Sequence, residues 1–150
     1  MTPRIFDELL AEFAALKPED FDDRRPDADG MERLDALTDE LLALPAPQRG
    51  IRALFGVIEN LADADLGSPG PLVHALERMR GHYEPELESI KRKPALLTVW
   101  MVNRILNAAL APAQRNMYLG LLQTAAGHAA ASARTRTAAR DFIAHQRGAT

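Results

Sequence analysis

Apolar residues recur every three or four positions along most of the chain, which is the spacing of an amphipathic α-helix. The strict alternation that is typical of a half-buried strand is nearly absent. Prolines and glycines interrupt the pattern and divide it into segments of helical length. The pattern predicts helices over Pro3–Leu16, Met31–Leu44, Gln48–Ala64, Leu72–Arg80, Tyr83–Arg92, Pro94–Leu110, Pro112–Ala130 and Arg134–Gln146.

Several predicted helix ends have residues that are typical of helix termini. Thr2 is a suitable N-cap for a helix with Pro3 in its first turn, and Pro94 and Pro112 are each expected to open a long helix. Gly81 is expected to follow a helix end in the left-handed conformation. We therefore predict a single all-α domain over residues 1–150. Its seven or eight helices would form an irregular bundle or a short HEAT-like stack of helical hairpins.

Composition agrees with a globular chain, since 47% of its residues are hydrophobic and 26% are charged. The chain has no cysteine, which excludes disulfides, thiolate zinc sites and cysteine nucleophiles. Asp7 and Glu8 interrupt the apolar residues near the start, so we expect no secretory signal. No run of about 20 strongly apolar residues is present. We expect a cytoplasmic protein with no membrane partner.

Charge is distributed very unevenly along the chain. The net charge is −3, but residues 1–65 hold 16 acidic and 7 basic side chains, whereas residues 66–150 hold 5 and 11. An acidic surface attracts basic partners and disfavours nucleic acid, and the overall pI of 5.8 also argues against nucleic-acid binding. The alternative is a solvated face that only keeps the protein soluble. The candidate partner-binding residues are Asp20, Asp22, Asp23, Asp27, Asp29, Glu32 and Asp35.

A polar strip interrupts the predicted helix around residue 100. Trp100, Asn103, Arg104 and Asn107 have the spacing i, i+3, i+4 and i+7, which brings them onto one face. Trp and Arg are common at the centres of protein interfaces, so the strip is a candidate recognition surface. The alternative is an internal polar network in which Asn103, Arg104 and Asn107 bond neighbouring helix ends and loops.

His74 and Glu77 also share a helical face, at i and i+3. Di-iron bundles use Glu-x-x-His pairs on two helices, but here the order is reversed and occurs once. A structural role is the favoured interpretation, with His74 and Glu77 bonding groups such as Arg104 or Ser89. The motifs of phosphate-binding loops, zinc proteases and serine hydrolases are absent from the sequence. We predict no enzyme activity, no cofactor and no metal site.

Three stretches in the middle of the chain resemble small all-helical immunity proteins of bacterial polymorphic-toxin and contact-dependent inhibition systems. They are a turn ahead of L-V-H-A-L-E in Gly67–Glu77, the S-I-K-R-K-P end of Tyr83–Pro94, and W-M-V-N-R-I-L-N in Trp100–Asn107. The resemblance covers about 40 residues. It implies an antitoxin that binds a cognate, basic toxin domain in the cytosol and occludes its active site.

Two other functions stay open from the sequence. One is a helical-hairpin adaptor that binds a peptide or a partner helix along the strip from Trp100 to Asn107. The other, less favoured, is a metal-dependent helical-bundle enzyme built around His74 and Glu77. The residues that carry the resemblance look fold-defining, so they do not identify the contact residues, the toxin or the oligomeric state.

Overall fold

The structure is a computed structural model that describes residues 5–67 and 69–148. Within these ranges the chain forms eight α-helices, two short 3-10 turns and no strand, which confirms the all-α prediction. None of the eight helices is both long and apolar enough to cross a lipid bilayer. The helices are α1 (Phe6–Ala14), α2 (Gly30–Ala43), α3 (Ile51–Asn60), α4 (Gly70–Arg78), α5 (Tyr83–Arg92), α6 (Leu96–Leu106), α7 (Pro112–Ala126) and α8 (Ala133–Gln146).

Local hydrogen bonding explains where helix ends differ from the sequence predictions. The prediction that Pro94 opens a helix is wrong, because α6 begins at Leu96. The Thr98 hydroxyl accepts the N–H of Ala95 at 3.0 Å and donates to its carbonyl at 3.1 Å, so the helix starts beyond Ala95. Gly81 has the predicted positive φ, 90°, although α4 ends three residues earlier. The predicted cap at Thr2 and Pro3 lies outside the described residues.

The chain divides into two compact units, residues 1–85 and residues 86–150. The first contains α1 to α4 and the start of α5, and the second contains the rest of α5 and α6 to α8. The expectation of one domain over residues 1–150 stays a prediction.

In the first unit, α1 packs against α2 and α3, and α4 packs against the same two helices. Each helix contributes its apolar stripe to the interior, as the periodicity predicts. Burying these side chains removes large apolar areas from water, which is the main source of stability here. The largest fully buried side chains of these helices are Leu9, Phe13, Leu34, Leu41, Leu54, Phe55, Ile58, Leu72 and Leu76.

A glycine allows a 3-10 turn, Pro18–Phe21, to lie directly against the start of α2. A Cβ atom at Gly30 would stand 2.6 Å from the carbonyl oxygen of Asp20 and 2.9 Å from Cδ1 of Phe21. No other residue type fits this close approach without moving the turn. Gly30 therefore fixes the position of Asp20 relative to α2.

In the second unit, α6, α7 and α8 all pack against one another. Their core consists mainly of aliphatic side chains and small alanines, which let the helices approach closely. The buried members are Ile90, Val99, Val102, Leu106, Leu121, Leu122, Ala125 and Ala139.

Candidate functional site

All seven acidic residues singled out from the sequence lie at the surface of the first unit. Asp20 and Asp22 are half-buried, and the other five are exposed. Asp20 belongs to the 3-10 turn, and Glu32 and Asp35 project from the early turns of α2. The seven carboxylates nevertheless differ in their surroundings. Within the described residues, some of them form ion pairs with arginines and others do not.

Asp22 is paired with its sequence neighbour Arg24. The Arg24 guanidinium donates to both carboxylate oxygens, at 3.0 and 3.3 Å, and the Arg24 N–H donates to one of them at 3.0 Å. The side-chain hydrogen bond, followed by the backbone hydrogen bond, lowers the pKa of Asp22 below its ordinary value. Asp22 therefore stays charged, but much of its field is cancelled locally.

We expect Arg24→Gln to raise the pKa of Asp22 towards its ordinary value, because both charge-assisted bonds from the guanidinium disappear. A pH titration of the Asp22 carboxyl carbon by NMR measures this change. Arg25→Gln is the matched control, since Arg25 makes only the smallest contribution to the Asp22 pKa. Equal pKa shifts in the two variants would contradict the assignment.

Three more of the seven acids have arginine partners. Arg33 contacts Asp20 at 3.3 Å and Asp29 at 3.5 Å, so one guanidinium joins the 3-10 turn to the start of α2. Arg25 lies 3.9 Å from Asp27, at the limit of an ion pair. The segment between residues 20 and 29 thus neutralises much of its own charge, although exposed pairs of this kind add little stability.

Glu32 and Asp35 form a different surface together with Asp39. The three carboxylates lie at i, i+3 and i+7 on one side of α2, and all are exposed. Within the described residues none of them forms an ion pair. Asp35 and Asp39 are like charges at i and i+4, an arrangement that destabilises a helix slightly. We call these three residues the α2 acidic face; sequence analysis missed Asp39, although its spacing continues the series.

The α2 acidic face borders an open groove between α2 and α4 with a volume of about 620 Å³. Asp35 and Asp39 line one wall, and His74 and Glu77 line the other, where both are exposed. The helices also contribute small and apolar groups, including Leu42. Within the described residues no group of three His, Asp or Glu side chains is arranged to hold a metal ion. The predicted bonds of His74 and Glu77 to Arg104 or Ser89 stay predictions.

The polar strip on α6 is largely occupied by contacts with α8. The amide nitrogen of Gln146 donates to the side-chain oxygens of Asn103 and Asn107, at 2.8 Å each. Arg104 is exposed, and its guanidinium lies 5.6 Å from the centre of the half-buried Trp100 ring. The two asparagines make the kind of bonds that the structural interpretation of the strip predicts.

Gln146, the last residue of α8, connects this helix to both α6 and α7. Besides its two asparagine contacts, its side-chain oxygen accepts from Arg115 at 3.2 Å, and Arg115 also donates to the Gln146 carbonyl at 2.6 Å. We expect Gln146→Leu to lower the free energy of unfolding by about 1–2 kcal/mol, because several part-buried groups lose partners. Urea unfolding of the full chain measures this change in the free energy of unfolding. Gln123→Leu, on an exposed position of α7, is the control, and an equal loss there would contradict the prediction.

Comparisons with protein-family models, with curated proteins and with solved structures find no match to this chain. Within the described residues Asp35 and Asp39 form no ion pair, and they line the groove between α2 and α4 together with His74, Glu77 and Arg78.

Proposed function

We propose that this chain is an immunity protein that binds a basic surface of a cognate toxin domain through the α2 acidic face and neutralises the toxin by one-to-one occlusion. The observation that carries the proposal is the difference between the acidic segments. The carboxylates between residues 20 and 29 are mostly paired with arginines, whereas Glu32, Asp35 and Asp39 form no ion pair with any residue that the structure describes. Charges that receive no compensation within the fold are available to a partner.

The burial of α2 supports a binding role for its exposed side. On the opposite side of the helix, Leu34 and Leu41 are fully buried against the core of the first unit. The carboxylates therefore project from an anchored helix and do not have to be ordered on binding. Preorganisation of this kind reduces the conformational entropy lost in association.

Two successive steps follow from this geometry. First, the negative potential of the first unit, with 18 acidic and 9 basic side chains over residues 1–85, attracts a basic surface and accelerates encounter. Second, Asp35 and Asp39 belong to both the acidic face and the groove, so a lysine or arginine entering the groove meets them as water is displaced. The first step governs the association rate, and the second governs how long the complex lasts.

The resemblance of Gly67–Glu77, Tyr83–Pro94 and Trp100–Asn107 to toxin immunity proteins supports the same proposal independently of charge. Proteins of that kind act by covering their toxins, and acidic surfaces are common among those that oppose nucleases. An acidic, rigid, helical surface suits this mode of action, because nuclease toxins carry basic surfaces for their substrates.

The test is to express the C-terminal domain encoded by the gene immediately upstream, alone and together with this chain. We expect the domain alone to arrest growth, co-expression to restore growth, and the purified proteins to elute as a one-to-one complex. A toxic upstream domain that this chain neither binds nor neutralises would contradict the proposal. So would an upstream gene product without a toxic domain.

A further inference from the structure

The second unit has the opposite charge balance to the first. Residues 86–150 contain nine basic and three acidic side chains, and one of the acids, Glu86, is almost completely buried. The pI of the whole chain conceals this excess of positive charge. A cationic surface of this density is expected to attract anions, provided that its side chains lie together.

His128 connects the basic end of α5 to the loop between α7 and α8. Its Nδ1 accepts the N–H of Ala130 at 3.0 Å, so the ring proton is on Nε2, which donates to the carbonyl of Lys91 at 2.7 Å. Lys91 is exposed and makes no side-chain ion pair within the described residues. The basic residues at the end of α5 are thus held beside a loop 37 residues further along the chain.

Two arginines of α8 bond backbone carbonyls at the two ends of this loop. Arg140 donates to the carbonyl of Ala126 at 3.3 Å, and Arg136 donates through Nε to the carbonyl of Ser132 at 3.5 Å. Each guanidinium uses one of its donors in this way and retains the others for a ligand. Fixing a guanidinium against the backbone also reduces the side-chain entropy lost when it binds an anion.

Arg136 and Arg140 on α8 form a row with Arg147, the residue directly after the end of this helix. At 100° per residue they fall within about 40° of one another, and at 1.5 Å per residue they extend over about 16 Å. Asp141, the only acid on this helix, is displaced from Arg140 by about 100° around the axis. We call Lys91, Arg136, Arg140 and Arg147 the basic face of the second unit.

We propose that this basic face binds the phosphate backbone of single-stranded nucleic acid. Three of its four residues are arginines, whose planar forks match phosphate oxygens, and a row of positive charges along a helix matches a chain of regularly spaced phosphates. Contacts to phosphates carry no sequence information, so the binding is expected to be independent of sequence. The prediction of no nucleic-acid partner rested on the acidic side chains of residues 1–65 and on the pI of the whole chain, neither of which describes residues 86–150 by themselves.

A fluorescein-labelled 12-nucleotide oligouridylate and the full chain test the proposal by fluorescence anisotropy. With four phosphate contacts, the logarithm of the binding constant is expected to fall with the logarithm of salt concentration with a slope of about −3. Lys91→Gln combined with Arg147→Gln is expected to reduce the slope by about 1.4. Within the described residues neither side chain makes a hydrogen bond or an ion pair. At 50 mM salt, the double variant should bind the oligouridylate roughly 60-fold more weakly than the unsubstituted chain does.

Matched controls separate a defined site from general attraction. Arg78→Gln combined with Arg80→Gln removes the same charge from exposed positions of the first unit and is expected to change affinity less than threefold. Arg136→Lys combined with Arg140→Lys keeps the positive charge but removes the two planar guanidinium groups. Because an ammonium group cannot make the paired hydrogen bonds of a guanidinium to a phosphate, this variant should also bind RNA several-fold more weakly. The proposal is overturned if the oligouridylate does not bind at 50 mM salt or if the control weakens binding as much. Equal affinity for an oligoglutamate of matched charge would also overturn it, because it would assign an acidic protein segment instead.

Discussion

Neutralising the α2 acidic face is expected to slow association with the toxin domain by roughly tenfold to a hundredfold at low salt. The variant carries Glu32→Gln, Asp35→Asn and Asp39→Asn. In the part of the chain that the structure describes, these side chains form no ion pairs, so their removal weakens attraction towards the partner with little loss of stability within the fold. Stopped-flow or surface-plasmon measurements at several salt concentrations give the rate, and its dependence on salt should become shallower.

The matched control removes three exposed acids of the first unit that lie off this face, by Asp7→Asn, Glu8→Gln and Glu84→Gln. It changes the net charge equally, so only long-range attraction is weakened, and the rate should fall less than threefold. A second comparison neutralises Asp22 and Asp29, which are paired with arginines. If that double variant slowed association as much as the triple variant, the distinction between paired and unpaired carboxylates would fail.

Gly30→Val is expected to lower the free energy of unfolding by about 3 kcal/mol. Its Cβ would meet the carbonyl oxygen of Asp20 at 2.6 Å, a backbone atom that moves only if the whole 3-10 turn moves. The ion pair between Asp20 and Arg33 should be lost as the turn is displaced. Urea unfolding of the full chain, read by circular dichroism, gives the change in stability, and Gly30→Ala should be destabilised by a smaller amount.

Gly56→Ala is the control in the same unit, and it is expected to raise the free energy of unfolding where Gly30→Val lowers it. Gly56 lies within α3, and a Cβ atom there would meet nothing within 4 Å. Alanine is the better helix former, so this variant should gain roughly 0.5–1 kcal/mol. Equal changes at Gly30 and Gly56 would contradict the close approach of the turn to α2.

The order of the helices could be predicted from the sequence because each carries a clear apolar stripe between proline or glycine breaks. The range Tyr83–Arg92 matches α5, and α2 and α8 agree to within a residue at each end. The predicted starts of α3 and α6 were wrong, because local hydrogen bonds and turns at these helix ends are not visible in the spacing of apolar residues. Pro47–Gly50 forms a 3-10 turn ahead of α3, and the hydroxyl of Thr98 delays the start of α6.

The sequence shows that the candidate surface is acidic, but it does not show which of the carboxylates are paired with arginines in the folded chain. Whether Asp20 is neutralised depends on Arg33, which reaches it only because Gly30 lets the turn lie against α2. That contact is tertiary, and the hydrophobic pattern contains no information about it. Asp39, in contrast, could have been found from its helical spacing to Glu32 and Asp35. The groove with His74 required the packing of α2 against α4.

Carboxyl footprinting shows directly whether the α2 acidic face is covered by the proposed toxin domain. Carbodiimide labelling is quantified by mass spectrometry for the free chain and for its complex with that domain. Labelling of Glu32, Asp35 and Asp39 is expected to fall several-fold in the complex, while labelling of Glu8 and Glu84 stays the same. If the three carboxylates of the α2 acidic face were labelled equally in both states, the partner would bind elsewhere and the proposed mode of neutralisation would be wrong.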